Sequence, residues 1–313
     1  MGTTRREFIG LTAAAAVGTV ATRASFVHAT QPIIDPHFHI WDLKRFRLPW
    51  LDGAGPVLKR TFTLDDYRAA IAGLDVSKSV YVEVSVKPDQ RQAEAEFAIG
   101  ICDANPASAV VAGGAPGTDA FAPYIRKLAG RKPVHGVRAS VAKGTSKDLK
   151  LVEDIRLLGK SRLSFDLLWD GQNLAEAADL VAAAPDTSFI LDHCGNASTT
   201  WFSTGADGKA ADRWKRGIDL VASHTNVACK ISGVAESGPG ELATAETVAP
   251  VVDHCLDSFG PDRVMFAGNW PVCLKSVTIA KWVEMVKGIT AGRGGSFQHA
   301  LFFDNAANWY RLN

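Results

Sequence analysis

Short β-branched runs alternate along this chain with stretches whose apolar positions recur every three or four residues, from residue 33 almost to the C-terminus. The short runs read as buried strands: Ile33–His39, Ser79–Val84, Ala109–Ala115, Val134–Ala139, Leu163–Leu168, Ser188–Cys194, Asn226–Ser232 and Arg263–Asn269. Between them the 3.6-residue pattern predicts helices over Arg91–Cys102, Ala120–Leu128, Asp148–Leu158, Leu174–Ala184, Trp214–Ser223, Ala243–Phe259 and Val277–Lys287. A further helix opens at Thr63, with Thr63 as cap and Asp66 at the capping-box position, and runs to about Leu74.

Strands that alternate with helices are parallel and joined by crossovers, and eight such units in about 280 residues are the expectation for a (β/α)8 TIM barrel. An open doubly wound sheet wants a glycine-rich phosphate turn after an early strand, and Gly113-Gly114-Ala115-Pro116 lacks that spacing. The irregular stretch after Asp42 contains Pro49-Trp50-Leu51 and Gly53-Ala54-Gly55-Pro56. It is too long for a simple βα turn and is expected to fold over the site as a lid.

Composition narrows the class. With 47% apolar and 21% charged residues, 313 residues supply ample material for one large core. A net charge of +1, without runs of like charge, excludes an electrostatic nucleic-acid partner. Residues 1–29 stand apart. Arg5-Arg6 precedes a mildly apolar run to Thr22, and Val27-His28-Ala29 offers an A-x-A-like cleavage end. This pattern looks like a twin-arginine export signal. The run is too short and too rich in Gly and Thr to span a bilayer, so no stable membrane anchoring is expected. The mature protein would begin near Thr30 as one domain, 30–313, in the periplasm. Cys102, Cys194, Cys229, Cys255 and Cys273 form no C-x-x-C pair and read as small buried hydrophobes. Oligomeric state leaves no trace in the sequence.

In a barrel the chemistry gathers at the C-terminal ends of the strands. Those ends carry His37 and His39, Glu83, Arg138, Asp166 with Trp169, His193, Lys230 and Asn269. His37 and His39, two apart, share one strand face and can share one metal ion or clamp one substrate oxygen. Singly, Glu83 or Asp166 reads more readily as an ion-pair partner of Arg138 or Lys230 at the rim. The remaining His135, His224, His254 and His299 fall at no strand end and are left as structural or surface groups.

Three segments carry a family resemblance: His37-x-His39 with Trp41-Asp42, Leu191-Asp192-His193-Cys194-Gly195, and Phe259-Gly260-Pro261-Asp262-Arg263 running on to Asn269-Trp270-Pro271-Val272. They resemble the amidohydrolase superfamily, in particular the amidohydrolase-2 type that includes sugar and dicarboxylate lactonases. The tail from Asp304 to Tyr310 resembles the end of that subgroup. The resemblance implies a hydrolase of lactones or related esters, with a small-molecule lactone as its partner. It implies that His37, His39 and His193 hold a metal or polarise the carbonyl, and that a last-strand acid activates water. Arg138, with Glu83, Lys230, Asp166 and Trp169, would face the substrate. Two-metal members use a modified lysine near mid-barrel. Leu163–Trp169 has neither lysine nor histidine, so the expectation is one divalent metal, zinc, or none.

The departure falls at the water-activating position, where the family's aspartate is Asn269. An amide can hold a water but cannot take its proton. General-base catalysis is worth about 10²–10⁴ in rate, or about 3–5 kcal/mol of barrier. The lost negative charge should also weaken zinc binding. Three explanations stay open: a disabled variant, a natural member using another base such as His193 or Glu83, or a binder that has lost catalysis. The alternatives to a lactonase are a metal-dependent decarboxylase of aromatic or muconate-like acids and a non-catalytic sugar-acid binder.

Overall fold

The structure, a computed structural model, describes residues 1–2, 31–104, 108–203, 205–238 and 243–312. Apart from its first two residues, the expected export signal at 1–29 lies outside the described residues. The unit Gln31–Asn313 is built on β1 (Ile33–Phe38), β2 (Val76–Val82), β3 (Ser108–Gly113), β4 (Val134–Ser140), β5 (Ser164–Leu168), β6 (Phe189–Leu191), β7 (Val227–Ile231) and β8 (Val264–Phe266). Each strand pairs parallel with the next, in sequence order. A parallel bridge joins Phe38 to Trp270, and His39 N–H donates to Trp270 O at 2.7 Å. The chain beyond β8 thus meets β1, and the expected (β/α)8 barrel closes. No helix among the described residues is long and apolar enough to cross a membrane.

Alternation along each strand divides the core in two. Phe38, Tyr81, Val137, Phe165, Leu191 and Phe266 face the surrounding helices. Ile34, Val80, Val111, Ile190, Ala228 and Met265 fill the barrel interior. Ala306, Tyr310 and Leu312 join that inner cluster, so the C-terminal helix Asn305–Tyr310 stops the lower end of the barrel. Asn305 fixes it there, its Nδ2 donating to Pro261 O and Val264 O, both at 2.7 Å.

Two strands end earlier than their hydrophobic pattern suggests. β6 stops at Leu191 and β8 at Phe266. His193 (φ 57°) and Asn269 (φ 49°) adopt left-handed backbone, which takes the chain out of the ladder. The stretch after β1 folds back as a loop clipped at its base by a Trp41–Phe62 bridge. It contains 3₁₀ turns at Pro49–Gly53 and Pro56–Leu58, and Trp50 Nε1–H donates to Val84 O at 2.8 Å.

Gly268 sits where β8 runs past β1. Its N–H donates to Asp35 Oδ1 at 2.8 Å, while Tyr67 OH holds Asp35 Oδ2 at 2.8 Å. A Cβ on Gly268 would lie 2.7 Å from Asp35 Oδ2 and 2.6 Å from Ile279 Cδ1. Gly268→Ala is therefore expected to cost about 1–3 kcal/mol of stability, read as a lower urea midpoint at unchanged m-value. An unchanged midpoint would mean that Asp35 is free to move aside.

Candidate active site

A cavity of about 400 Å³ opens at the C-terminal ends of the strands, walled by His39, Arg138, His193, Glu236, Asn269 and Trp50. Its histidines are placed by local irregularities. β1 pairs Asp35 with Ser79 and Phe38 with Tyr81, so three steps on one strand match two on the other. This bulge sits at Pro36-His37 and re-aims the chain. His37 and His39 then bring their Nε2 atoms within 3.1 Å of each other. His39 Nδ1 lies 2.7 Å from Val82 O, a carbonyl that can only accept, so the proton is on Nδ1 and the Nε2 lone pair is free.

His193 follows β6 in left-handed backbone, and its neighbours Cys194, Gly195 and Asn196 also have positive φ. The turn presents the ring to the cavity, 4.5 Å from the His37 ring between centroids. His193 Nδ1 is 2.9 Å from Ser232 Oγ. Gly233 makes the approach possible, because a Cβ there would fall 2.4 Å from the His193 Cβ.

Beneath the histidines lies a charged floor. The Lys230 ammonium, wholly buried, is 2.7 Å from Asp166 Oδ2, 2.9 Å from Asp192 Oδ1 and 3.1 Å from His37 Nδ1. The Asp192 contact is a charge pair rather than an aligned hydrogen bond, which leaves Oδ1 without a hydrogen-bond partner. Burial alone would raise the Asp192 carboxyl, but Lys230 and His37 outweigh it and hold it well below the usual range. Burial pushes the Asp166 carboxyl up against the pull of Lys230. Tyr310 OH donates to Asp166, which ties the floor to the C-terminal stop.

Arg138 crosses from β4. Its Nε donates to Glu83 Oε1 at 2.7 Å, its Nη2 to Glu83 O at 2.5 Å, and its Nη1 reaches Asp192 Oδ2 at 3.5 Å. Burial disfavours the guanidinium, yet Glu83 and Asp192 keep it firmly charged.

The sequence reading set Asp166, Lys230 and Trp169 against the substrate, and the structure puts them elsewhere. Asp166 and Lys230 point inward but one level below the cavity, with no exposed surface. Trp169 turns away, its indole N–H donating to Asn173 O at 3.0 Å. Glu83 spends its carboxylate on Arg138 and on Ser85 N–H, so it orients the guanidinium rather than lining the cavity. His37, His39, His193, Arg138 and Asn269 do converge. Sequence reasoning passed over Asp192, Asp35, Ser232 and Glu236. Alternation could have found the first, since Asp192 is two residues past inward-facing Ile190. Nothing in the spacing marks Glu236, which lies in a 3₁₀ turn after β7, Ala235–Ser237. Asn269 Nδ2 donates to Glu236 Oε1, and Asn269 Oδ1 is buried without a partner.

The donor set fits a divalent metal. Two Nε2 atoms 3.1 Å apart match the roughly 3.3 Å bite of two tetrahedral zinc–nitrogen bonds of about 2.0–2.1 Å. Asp192 and His193 also stand with His37 within 4.8 Å, ligand atom to ligand atom. Ligation asks His37 to carry its proton on Nδ1, which lies 3.4 Å from Asp192 Oδ1 without hydrogen-bond alignment and 3.1 Å from the Lys230 ammonium. With the proton on Nε2 instead, His37 accepts from Lys230 and donates to His39, and the two rings satisfy each other. Cys194, Cys229 and Cys255 make a second convergent group, sealed between the sheet and the helix Ala245–Phe259.

Neutral imidazoles, a fixed guanidinium and an oriented amide thus gather at the mouth of a (β/α)8 barrel. The chain belongs to the amidohydrolase family, whose sequence profile matches residues 34–312, and it is a hydrolase of that superfamily. It is 31% identical over 307 residues to the uncharacterized protein y4mH of Sinorhizobium fredii, covering 90% of this chain and 98% of that one. It is 24% identical over 289 residues to an L-fucono-1,5-lactonase of Burkholderia multivorans, covering 89% and 96%. A zinc-bound amidohydrolase crystal structure from Burkholderia multivorans shares the fold, with a TM-score of 0.80 at 23% identity over 90% of this chain and all (100%) of that one.

Burial, reinforced by Arg138, pulls His39 down to about 3, and burial pulls His193 down to about 4. Both rings therefore favour the fold fully above the ordinary histidine value of about 6.5 and lose that contribution as pH falls towards those numbers. Nitrogen-15 NMR of the imidazoles should find both neutral from pH 8 to pH 5.5. A midpoint near 6.5 for either ring would show that it is solvated rather than held in the site.

Proposed function

We propose that this hydrolase opens small polar lactones by attack of water on the ring carbonyl, giving the hydroxy acid. The meeting of His39 and His193 with Arg138 and Asn269 at one cavity, with His37 buried against both histidines, carries the reading. The likeness to L-fucono-1,5-lactonase supports a sugar lactone as the substrate class. A cavity of about 400 Å³ is of a size for such a ring.

A divalent metal held by His37, His39 and His193 would supply Lewis-acid polarisation of the lactone carbonyl. Arg138 offers a permanent positive charge on the cavity wall, pre-aimed by Glu83, to the carbonyl oxygen as it gains charge. Asn269, on the cavity wall, would hold the attacking water through its amide and fix its direction. Trp50, Leu168 and Val272 give the ring an apolar wall. The enzyme is further proposed to act in the periplasm, which Arg5-Arg6 and Val27-His28-Ala29 support.

A pH-indicator screen over sugar and dicarboxylate lactones, with added zinc and with chelator, tests the reaction. Turnover of at least one small polar lactone is expected. Carbon dioxide release from aromatic or muconate-like acids would replace this reading with a decarboxylase, and saturable binding without turnover would replace it with a binder. N-terminal sequencing of the protein recovered from a periplasmic extract should begin near Thr30. A cytoplasmic protein that keeps residues 1–29 would overturn the proposed location.

A further inference from the structure

Asn269 leaves the attacking water without a base at the end of β8, yet the same cavity contains a carboxylate held by an amide rather than by an ion pair. Glu236 reaches the cavity wall from the turn after β7, beside His193, Arg138 and Asn269. The other acids near the mouth are engaged. Glu83 is held by Arg138 and Ser85, and Asp192 is paired below with Lys230 and His37. Glu236 accepts from Asn269 Nδ2, a neutral donor that orients the carboxylate without neutralising it.

The pairing also explains the amide. An aspartate at 269 beside Glu236 would place two carboxylates in hydrogen-bonding contact, where one is driven to hold a proton. An amide at one position and a carboxylate at the other keeps one charged base in the cavity. We propose that Glu236 is the general base of this enzyme, and that the base has moved from the end of β8 to the loop after β7, with Asn269 holding both carboxylate and water. Burial, opposed by hydrogen bonds from its own backbone N–H and from Asn269 and by Lys275, lifts the Glu236 carboxyl above its ordinary range, which strengthens it as a proton acceptor.

The step balances. Glu236 takes a proton from water as the water oxygen bonds to the lactone carbonyl carbon, and the carbonyl π pair moves onto its oxygen. When the tetrahedral adduct collapses, the ring C–O bond breaks and the leaving alkoxide takes the proton back from Glu236. The sum is lactone plus water giving hydroxy acid, which then ionises to solvent.

The inference rests on the lactone-hydrolase reading, and the experiment separates the two. The native chain, Glu236→Gln, Asn269→Asp and the double swap are compared on the lactone that the native chain opens best, with thermal melts on each. Glu236→Gln should lower kcat by about 10²–10⁴ with little change in KM. Asn269→Asp should be no faster than native. The swap, which restores one carboxylate and one amide in contact, should recover at least about tenfold over Glu236→Gln, within that range. A Glu236→Gln enzyme within threefold of native overturns the proposed base and leaves the lactonase reading standing. So does an Asn269→Asp enzyme a hundredfold faster than native, or a folded swap with no recovery. A native chain that opens no lactone removes both.

Discussion

An ammonium ion with no exposed surface has to be answered by charge, and Lys230 is answered by Asp166, Asp192 and His37 within 3.1 Å. Two N–H donors meet Asp166 and His37 and the charge faces Asp192, and each partner has a second task. Asp166 takes the Tyr310 hydroxyl, Asp192 faces Arg138, and His37 faces His39. Taking such charges out of water costs several kcal/mol each, so the group is weak as a stabiliser and strong as a specifier. Removing Lys230 would leave Asp166 buried without a cation. The inner barrel is thus committed to one arrangement from the C-terminal stop up to the histidines.

That commitment shapes the chemistry above it. Burial, with buried cations beside it, keeps the three imidazoles neutral, so they meet a substrate or a metal as lone-pair donors rather than as cations. Arg138 is left as the positive group of the cavity wall whose direction is already set by a carboxylate. A ring-opening reaction that builds negative charge on a carbonyl oxygen asks for this distribution: fixed positive charge and neutral acceptors in place before the substrate arrives.

The barrel was legible because short β-branched runs and period-3.6 helices alternate from residue 33 onward. His37, His39, Arg138, His193 and Asn269 were legible as polar residues at the ends of those strands. The vertical level of each side chain was not. Lys230 lies in phase with Ala228 and Asp166 with Ser164, so both point inward, but only the closed barrel shows that they stop below the cavity. Glu236 was invisible for a different reason. It sits in a loop with no periodicity, and only the folded chain shows that Asn269 Nδ2 reaches its carboxylate.

Tyr310 ties the last turn of the chain to the charged floor, and this gives the molecule a direction in time. A polypeptide leaves the ribosome N-terminus first, so all eight strands are made before the residues that stop the barrel from below. Until Asn305–Tyr310 emerges, Ile34, Val80 and Ala228 line an interior open to water, and Asp166 lacks its phenol. The centre at His37 and His39 thus depends on a segment that follows all eight strands, and a barrel made without Asn305–Tyr310 has no floor.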